Sequence, residues 1–124
     1  MGKVLIVEDH KGNQELVVQQ IILAGLRNVE AVEDGLQATR FLEAHGEDVS
    51  LIVAAWEQYR HGRDLGEGTL EVARNKNPNV RIIIMTNSPE RCDYFKSIGA
   101  DHVLVKPFLH RDLFAAVDLV QPLQ

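Results

Sequence analysis

The chain has 124 residues, of which 45% are hydrophobic and 25% are charged, and its net charge is −5. These values are typical of one soluble globular domain. The acidic balance and the scattered basic residues argue against nucleic acid as the primary partner. No apolar run approaches the roughly 18 residues of a membrane-spanning helix, and no secretory segment follows Met1. The single cysteine, Cys92, cannot form an internal disulfide, so we expect a cytoplasmic protein.

Five short apolar runs, each followed by a helical pattern, predict an alternating (βα)5 chain. The runs are Lys3–Val7, Val29–Val32, Leu51–Ala55, Arg81–Met85 and Val103–Val105. Most are rich in β-branched residues and show no polar alternation, which is typical of parallel strands buried on both faces. Crossovers of this length give right-handed βαβ units in one parallel sheet. We therefore expect one α/β domain over residues 1–124, with its core at about 3–120.

Capping and turn residues place the helix ends. Asn13 is the predicted N-cap of the first helix, which Gly25 closes, and Ser88 with Pro89 begins the fourth helix. The stripe expected to be buried in the last helix is Leu109, Leu113, Ala116, Val117 and Val120. The long irregular stretch Trp56–Gly68 carries three glycines and many charges, and we expect it to be the least ordered part of the chain.

Residues with reactive side chains follow three of the five predicted strands. Glu8 and Asp9 follow the first strand, Thr86 the fourth and Lys106 the fifth. Taken singly, each is more simply a solvated strand end or a turn residue. Because parallel strands bring their carboxyl ends to one edge, the four side chains are expected to converge. Carboxylates bind a hard cation such as Mg²⁺, and a hydroxyl and an ammonium bind phosphoryl oxygens, so the sequence favours a phosphoryl site at this edge.

At this point a family resemblance becomes specific. The matching segments are Val4–Asp9, Glu33–Ala38, Ile82–Thr86, Gly99–Asp101 and Lys106–Phe108. In this order and spacing the chain resembles the CheY-like receiver domain of two-component response regulators, from Lys3 to about Val120. The resemblance implies a flavodoxin-like sheet of order 2-1-3-4-5 flanked by five helices. It also implies Mg²⁺-assisted transfer of a phosphoryl group from a histidine kinase to an aspartate that ends the third strand.

The same resemblance assigns roles to the residues at the carboxyl edge. Asp9 would hold the metal, Glu8 would reach it directly or through water, and Glu57 would give it a backbone carbonyl. Thr86 and Lys106 would bind phosphoryl oxygens. A cis peptide between the lysine and the following proline is also implied.

The chain departs from the family pattern at the acceptor. Ala55 stands where the phosphoacceptor aspartate is expected, and its neighbour Ala54 excludes a register error of one residue. The Met-Pro that follows in the family falls on Gln58 and Tyr59, and the loop beyond is about three residues longer than usual. Val103 stands three residues before Lys106, where the family has an aromatic switch residue. Both the acceptor and the readout residue are therefore missing.

These departures predict a pseudo-receiver, a non-enzymatic interaction module with at most weak Mg²⁺ binding. Its expected partner is a histidine kinase, a phosphotransfer protein or another signalling protein. Because position 55 has no carboxylate, Lys106 should pair with Asp9 or Glu8. The alternatives are a working phosphotransfer domain that uses Asp64 or Glu57, or an engineered variant of an active receiver. A flavodoxin-type ligand binder is disfavoured, because no glycine-rich phosphate loop follows the first strand.

The resemblance further implies docking or homodimerisation through the fourth helix, the fifth strand and the fifth helix. Tyr94, Phe95 and Ile98 lie on the fourth helix and could serve that surface. We expect two of the three to face the core instead.

Overall fold

The computed structural model describes residues 2–57 and 65–120. Strands and helices alternate along the chain, and short 3₁₀ turns at Gly46–Asp48 and Pro89–Arg91 precede the third strand and the fourth helix. The main elements are β1 Lys3–Val7, α1 Lys11–Leu23, β2 Val29–Val32, α2 Gly35–His45, β3 Val49–Ala55, α3 Glu67–Lys76, β4 Arg81–Thr86, α4 Cys92–Ser97, β5 His102–Val105 and α5 His110–Val120.

The five strands form one parallel sheet of order β2-β1-β3-β4-β5, as the sequence predicted. The register aligns Val7 with Ala54, and Ala55 with Met85. It also aligns Thr86 with Val105. The last residues of β1, β3, β4 and β5 therefore lie side by side, and the residues that follow them meet at one edge.

Apolar side chains bury both faces of the sheet. On one face they pack against α1 and α5, for example at Val17 and Leu113, and on the other against α2, α3 and α4. Side chains alternate along a strand, so neighbouring residues enter different layers. Ala54 packs in the layer of α2, α3 and α4, whereas Ala55 packs in the layer of α1 and α5. The absence of polar alternation in the strand sequences follows from this burial on both faces.

The N-cap predicted for α1 was wrong. The cap is His10, whose Nδ1 accepts the Asn13 N–H at 3.2 Å, so Asn13 lies inside the first turn. An imidazole nitrogen can accept this bond as a carboxamide oxygen would, and the helix therefore starts earlier than the residue types suggested. The predicted closing glycine is confirmed, because Gly25 has a φ of +97° directly after the cap residue Ala24.

Two further end predictions need correction. Ser88 and Pro89 begin the helical segment as predicted, in a 3₁₀ turn that leads into α4, but Ser88 makes no side-chain cap bond, and its hydroxyl donates to Asn87 Oδ1 at 3.2 Å. Leu109 precedes α5 and is 55% exposed, so it does not belong to the buried stripe of that helix. Its N–H donates to the carboxylate of Asp112 at 2.9 Å, which makes it part of the helix start.

The expectation about the order of Trp56–Gly68 falls largely on residues 58–64, which lie outside the described residues. The same holds for Gln58, Tyr59 and Asp64. Within residues 2–57 and 65–120, no helix has the length and apolar character that crossing a bilayer requires.

Gly99 allows a stability prediction with a matched control. Both Gly99 and Gly25 have positive φ angles, +107° and +97°, where a side chain costs about 1–2 kcal/mol. A Cβ at Gly99 would also displace the guanidinium of Arg74, whereas a Cβ at Gly25 would meet no atom within 4 Å. We expect Gly99→Ala to lower the free energy of unfolding more than Gly25→Ala in urea titrations. Equal losses would show that Arg74 moves aside without cost.

Candidate functional site

Backbone hydrogen bonds continue the sheet for one residue beyond its strands. Glu8 N–H donates to the carbonyl of Val32 at 3.0 Å, and Trp56 N–H to that of Met85 at 2.8 Å. Lys106 N–H donates to the carbonyl of Thr86 at 2.7 Å. These bonds hold the residues after β1, β3 and β5 in place, so their side chains start from a rigid frame. The following Lys106–Pro107 peptide is cis, which confirms the expectation drawn from the resemblance.

The ammonium of Lys106 lies between two buried carboxylates. Its Nζ is 3.3 Å from Glu8 Oε1 and 2.6 Å from Glu57 Oε1. The exposed fractions of the three side chains are 23% for Lys106, 1% for Glu8 and 9% for Glu57. The predicted pairing of Lys106 with Glu8 is confirmed. The shorter contact with the Glu57 side chain was not predicted, because only the backbone carbonyl of Glu57 had been assigned a role.

Both carboxylate oxygens of Glu8 are engaged. Oε1 faces Lys106, and Oε2 accepts the N–H of His10 at 3.1 Å. The side chain of Gln14 adds bonds from its Nε2 to the carbonyls of Glu8 and Val32, each at 3.1 Å. The start of α1 is thereby tied to the ends of β1 and β2. Asp9, half-buried, follows Glu8 at the same edge.

Ala55 ends β3 at the position where the resemblance places the phosphoacceptor. The residue is 5% exposed, and its methyl group packs with Val53 and Met85 in the layer of α1 and α5. The neighbouring Ala54 is fully buried in the other layer and carries no acidic group, so it does not supply an acceptor either. A methyl group is neither a nucleophile nor a metal ligand. The carboxylate nearest along the chain is that of Glu57, which is engaged with Lys106.

Thr86 and Val103 occupy the two positions to which the resemblance assigns sensing and readout. Thr86 is fully buried, and its hydroxyl oxygen accepts the N–H of Ser88 at 3.1 Å. Val103 is partly buried and packs against the apolar layer of α2, α3 and α4. It is aligned with Ile84 in the sheet. A valine in this position has few χ1 options, so it offers little side-chain movement.

The donor set does not fit a tightly bound Mg²⁺ ion. Mg²⁺ requires near-octahedral oxygen ligation, and the edge offers the carboxylates of Glu8, Asp9 and Glu57, two of which contact Lys106, with a methyl group at Ala55. Both oxygens of Glu8 already accept hydrogen bonds. Within the described ranges, no three His, Cys, Asp or Glu side chains form a cluster suited to a metal. A metal would have to compete with Lys106 for its ligands.

An aromatic cluster that was not predicted from the sequence lies beside the site. The Trp56 and Phe95 rings are 5.1 Å apart, and Tyr94 lies 5.5 Å from Phe95. The guanidinium of Arg91 lies 5.0 to 5.9 Å from the three ring centroids. Phe95 is buried, whereas Tyr94 and Ile98 are partly buried against the same layer. The expectation that at least two of the three residues Tyr94, Phe95 and Ile98 face the core is confirmed.

Tyr94 provides a pH-dependent probe of this cluster. Its hydroxyl donates to Glu67, and this bond, with partial burial and the nearby negative charge, raises the pKa of Tyr94 above 10.0, while Arg91 opposes the shift. Since the folded-state pKa is raised, the stabilisation is complete below pH 10 and is lost as pH rises through the raised value. The chain has two tyrosines, so replacing Tyr59 by phenylalanine leaves Tyr94 as the only phenol that titrates. In this Tyr59→Phe background, Glu67→Gln should lower the Tyr94 pKa in an ultraviolet titration. An unchanged pKa would contradict the bond.

A parallel α/β sheet with acidic, hydroxyl and ammonium groups at its carboxyl edge defines the class of doubly wound proteins that bind ligands at strand ends. Within that class, the sequence profile of the response regulator receiver domain matches residues 4–118. The chain belongs to the response regulator receiver domain family. Receiver domains take part in two-component signalling, where they interact with kinases or other signalling proteins.

Individual relatives agree with this assignment. The chain is 32% identical over 122 residues to the autoinducer 2 sensor kinase/phosphatase LuxQ of Vibrio parahaemolyticus, covering 96% of this chain but 14% of that protein. The chemotaxis response regulator CheY4 of Vibrio cholerae superposes with a TM-score of 0.79 at 26% identity, covering 98% and 99% of the two chains. A receiver domain from Clostridium thermocellum has the same TM-score at 16% identity, over 97% and 94%, and shows the fold alone.

Proposed function

We propose that this chain is a pseudo-receiver, which acts in a two-component pathway through protein–protein contacts that do not depend on an aspartyl phosphate. The observation that carries the proposal is the arrangement of Ala55, Glu57 and Lys106 at the carboxyl edge. The acceptor position holds the methyl group of Ala55, and Glu57 supplies Lys106 with the carboxylate that an acceptor aspartate would otherwise provide. The ammonium is thus satisfied within the protein, with no phosphoryl group required.

The electrostatics of the site support the same conclusion. Lys106 carries one positive charge and contacts two carboxylates, those of Glu8 and Glu57, so the trio has a net charge of −1. A phosphoryl dianion would meet this net negative charge and would compete with both carboxylates for the ammonium. Mg²⁺ binding should be weak, because Ala55 supplies no ligand and Lys106 competes for the carboxylates. We also propose that the domain is not an enzyme.

A test uses the unaltered protein with Mg²⁺ and beryllofluoride, which mimics an acyl phosphate on a carboxylate. Two-dimensional NMR should show no saturable shift at Thr86 or Lys106 up to millimolar concentrations. Saturable shifts at both residues would overturn the proposal, because they would show that a carboxylate of the site accepts the phosphoryl mimic.

One observation favours a second candidate, a receiver that uses another acid as acceptor. The Glu57 carboxylate lies within the site and contacts the lysine expected to bind phosphoryl oxygens. Asp64, the other candidate acceptor, lies outside the described residues. If acetyl phosphate adds a phosphoryl group to the unaltered chain, Glu57→Gln should abolish the addition under this alternative. Under the pseudo-receiver proposal neither protein reacts.

The partner is proposed from the family and its relatives. The chain matches 14% of the length of that sensor kinase/phosphatase. The partner and the output of this chain are therefore proposed from the family. We place the domain in the cytoplasm, in contact with a histidine kinase, a phosphotransfer protein or another signalling protein.

A homodimer through α4, β5 and α5 is the other proposed assembly, and sedimentation velocity at several concentrations distinguishes it from a monomer.

A further inference from the structure

The side chain of Trp56 decides the side of the sheet to which Glu57 points. The backbone N–H of Trp56 donates to the carbonyl of Met85 at 2.8 Å, so residue 56 continues the extended course of β3. Successive side chains of an extended strand point to opposite faces. The Trp56 ring packs against the layer of α2, α3 and α4. Glu57 therefore points away from that layer, and its carboxylate meets the Lys106 ammonium at 2.6 Å.

Arg91 holds the Trp56 ring against the start of α4. It ends the 3₁₀ turn Pro89–Arg91 and directly precedes α4. Its guanidinium carbon lies 5.9 Å from the Trp56 ring centroid and 5.0 Å from that of Phe95. A guanidinium within about 6 Å of an aromatic ring is attracted by the ring quadrupole, and more strongly where water is excluded. Because Phe95 is fully buried, it gives Trp56 and Arg91 a fixed surface to pack on.

Tyr94 fixes the same cluster from α4. Its ring meets that of Trp56 edge-on, with centroids 6.1 Å apart, and lies 5.2 Å from the Arg91 guanidinium carbon. Its hydroxyl donates to Glu67, the first residue of α3. Val103 contacts the same layer, but a valine offers little side-chain movement. Trp56 therefore supplies an aromatic connection between the sheet edge and α4 that Val103 does not.

We propose that Arg91 is a positioning residue for the Glu57–Lys106 ion pair, and that it acts through the Trp56 ring. Loss of the Arg91 contacts would free the ring and loosen the ion pair, so a change at the surface of α4 would reach the Lys106 ammonium. Because coupling between two sites is reciprocal, a change at Lys106 would also loosen the cluster. The inference is independent of the pseudo-receiver proposal, since neither Ala55 nor a phosphoryl group enters it.

Arg91→Met removes the guanidinium and keeps an unbranched apolar side chain. In NMR spectra that detect lysine ammonium groups, the Nζ signal of Lys106 should shift, or be lost through faster proton exchange with water. Trp56 is the only tryptophan, and its fluorescence should move to longer wavelength as the ring becomes exposed. Arg40→Met, at an exposed position on α2, should change neither signal.

Removal of the ring tests whether the effect passes through it. In a Trp56→Leu background, Arg91→Met should cause no further change in the Lys106 Nζ signal. An equal change with and without the ring would show that Trp56 is not the connection. If Arg91→Met leaves the Nζ signal of Lys106 as it is in Arg40→Met, the positioning role of Arg91 is wrong. Arg91→Lys, which keeps a cation but not the planar guanidinium, replaces Arg91→Met if that variant does not fold.

A double-mutant cycle in urea measures the reciprocity. Independent substitutions multiply in their effect on the unfolding equilibrium constant to within about twofold, whereas coupled ones deviate further. Lys106→Met should increase that constant at least about fivefold less in the Arg91→Met background than in the unaltered chain. The same cycle with Arg40→Met should show independence. Agreement between the Arg91 and Arg40 cycles to within about twofold would overturn the proposal.

Discussion

Ala55→Asp is expected to give the chain a site that takes a phosphoryl group from acetyl phosphate in the presence of Mg²⁺. The new carboxylate would follow the register of β3 to the edge where Glu8 and Asp9 already lie, and would raise the affinity for Mg²⁺. It would also supply a nucleophile beside Thr86 and Lys106. Intact mass spectrometry should show the mass of one added phosphoryl group in the variant.

Ala55→Asn is the matched control, because the amide has the shape of the carboxylate but is neither a nucleophile nor a charged ligand. It should show no phosphoryl addition. Without metal, Ala55→Asp should be less stable than Ala55→Asn, since a further carboxylate at the edge that already holds Glu8, Asp9 and Glu57 adds repulsion. If Ala55→Asp stays unphosphorylated while folded, Lys106 is held too firmly by Glu8 and Glu57 for the site to be restored by one change.

Restored chemistry should not restore a conformational output. By the family resemblance, the threonine moves toward the phosphoryl group and an aromatic residue three positions before the lysine follows it. That position is Val103, a short β-branched side chain already packed against the core. In Ala55→Asp, beryllofluoride should therefore leave the NMR signals of residues 101–113 almost unchanged. Large shifts across that range would mean that only the acceptor was lost.

Lys106→Met is expected to cause the largest loss of stability of any single change at the site. It leaves two buried carboxylates, those of Glu8 and Glu57, without their shared cation. Removing one partner of a buried ion pair costs about 3–5 kcal/mol, and we expect the lower end because the Lys106 side chain is 23% exposed. Urea denaturation of the variant and the unaltered protein measures the difference.

The charge explanation is tested by rescue. Adding Glu8→Gln and Glu57→Gln to Lys106→Met should recover most of the lost free energy of unfolding, because the two side chains that lost their shared cation are then neutral. Lys96→Met, at an exposed position on α4, controls for the loss of a lysine elsewhere. If the triple variant is no more stable than Lys106→Met, the loss comes from packing of the lysine stem and not from its charge.

The sheet could be predicted almost completely from the sequence because its signal is local. Runs such as Val4–Val7 and Ile82–Met85 are apolar on both faces, and only a parallel sheet covered on both sides buries them so. The convergence of Glu8, Thr86 and Lys106 then follows from topology alone. Helix starts were less predictable, as at His10, because the imidazole that caps α1 is not a typical capping residue.

The contacts that define the site required the three-dimensional structure. The sequence shows that Glu57 lies two residues after Ala55, yet it does not show that the Glu57 side chain contacts Lys106. The contacts of Arg91 with three aromatic rings join residues from elements distant in sequence. Such contacts depend on rotamers and on packing between layers, and no periodicity of the chain encodes them.

The most direct test of a phosphate-independent receiver is to incubate the unaltered chain with acetyl phosphate and Mg²⁺ and to record its intact mass. Ala55→Asp in the same experiment shows that the reagent and the conditions are active. The pseudo-receiver account predicts that the mass of the unaltered chain does not change while Ala55→Asp gains one phosphoryl group. A phosphoryl adduct on the unaltered chain, formed at a rate comparable to that of the variant, would contradict it.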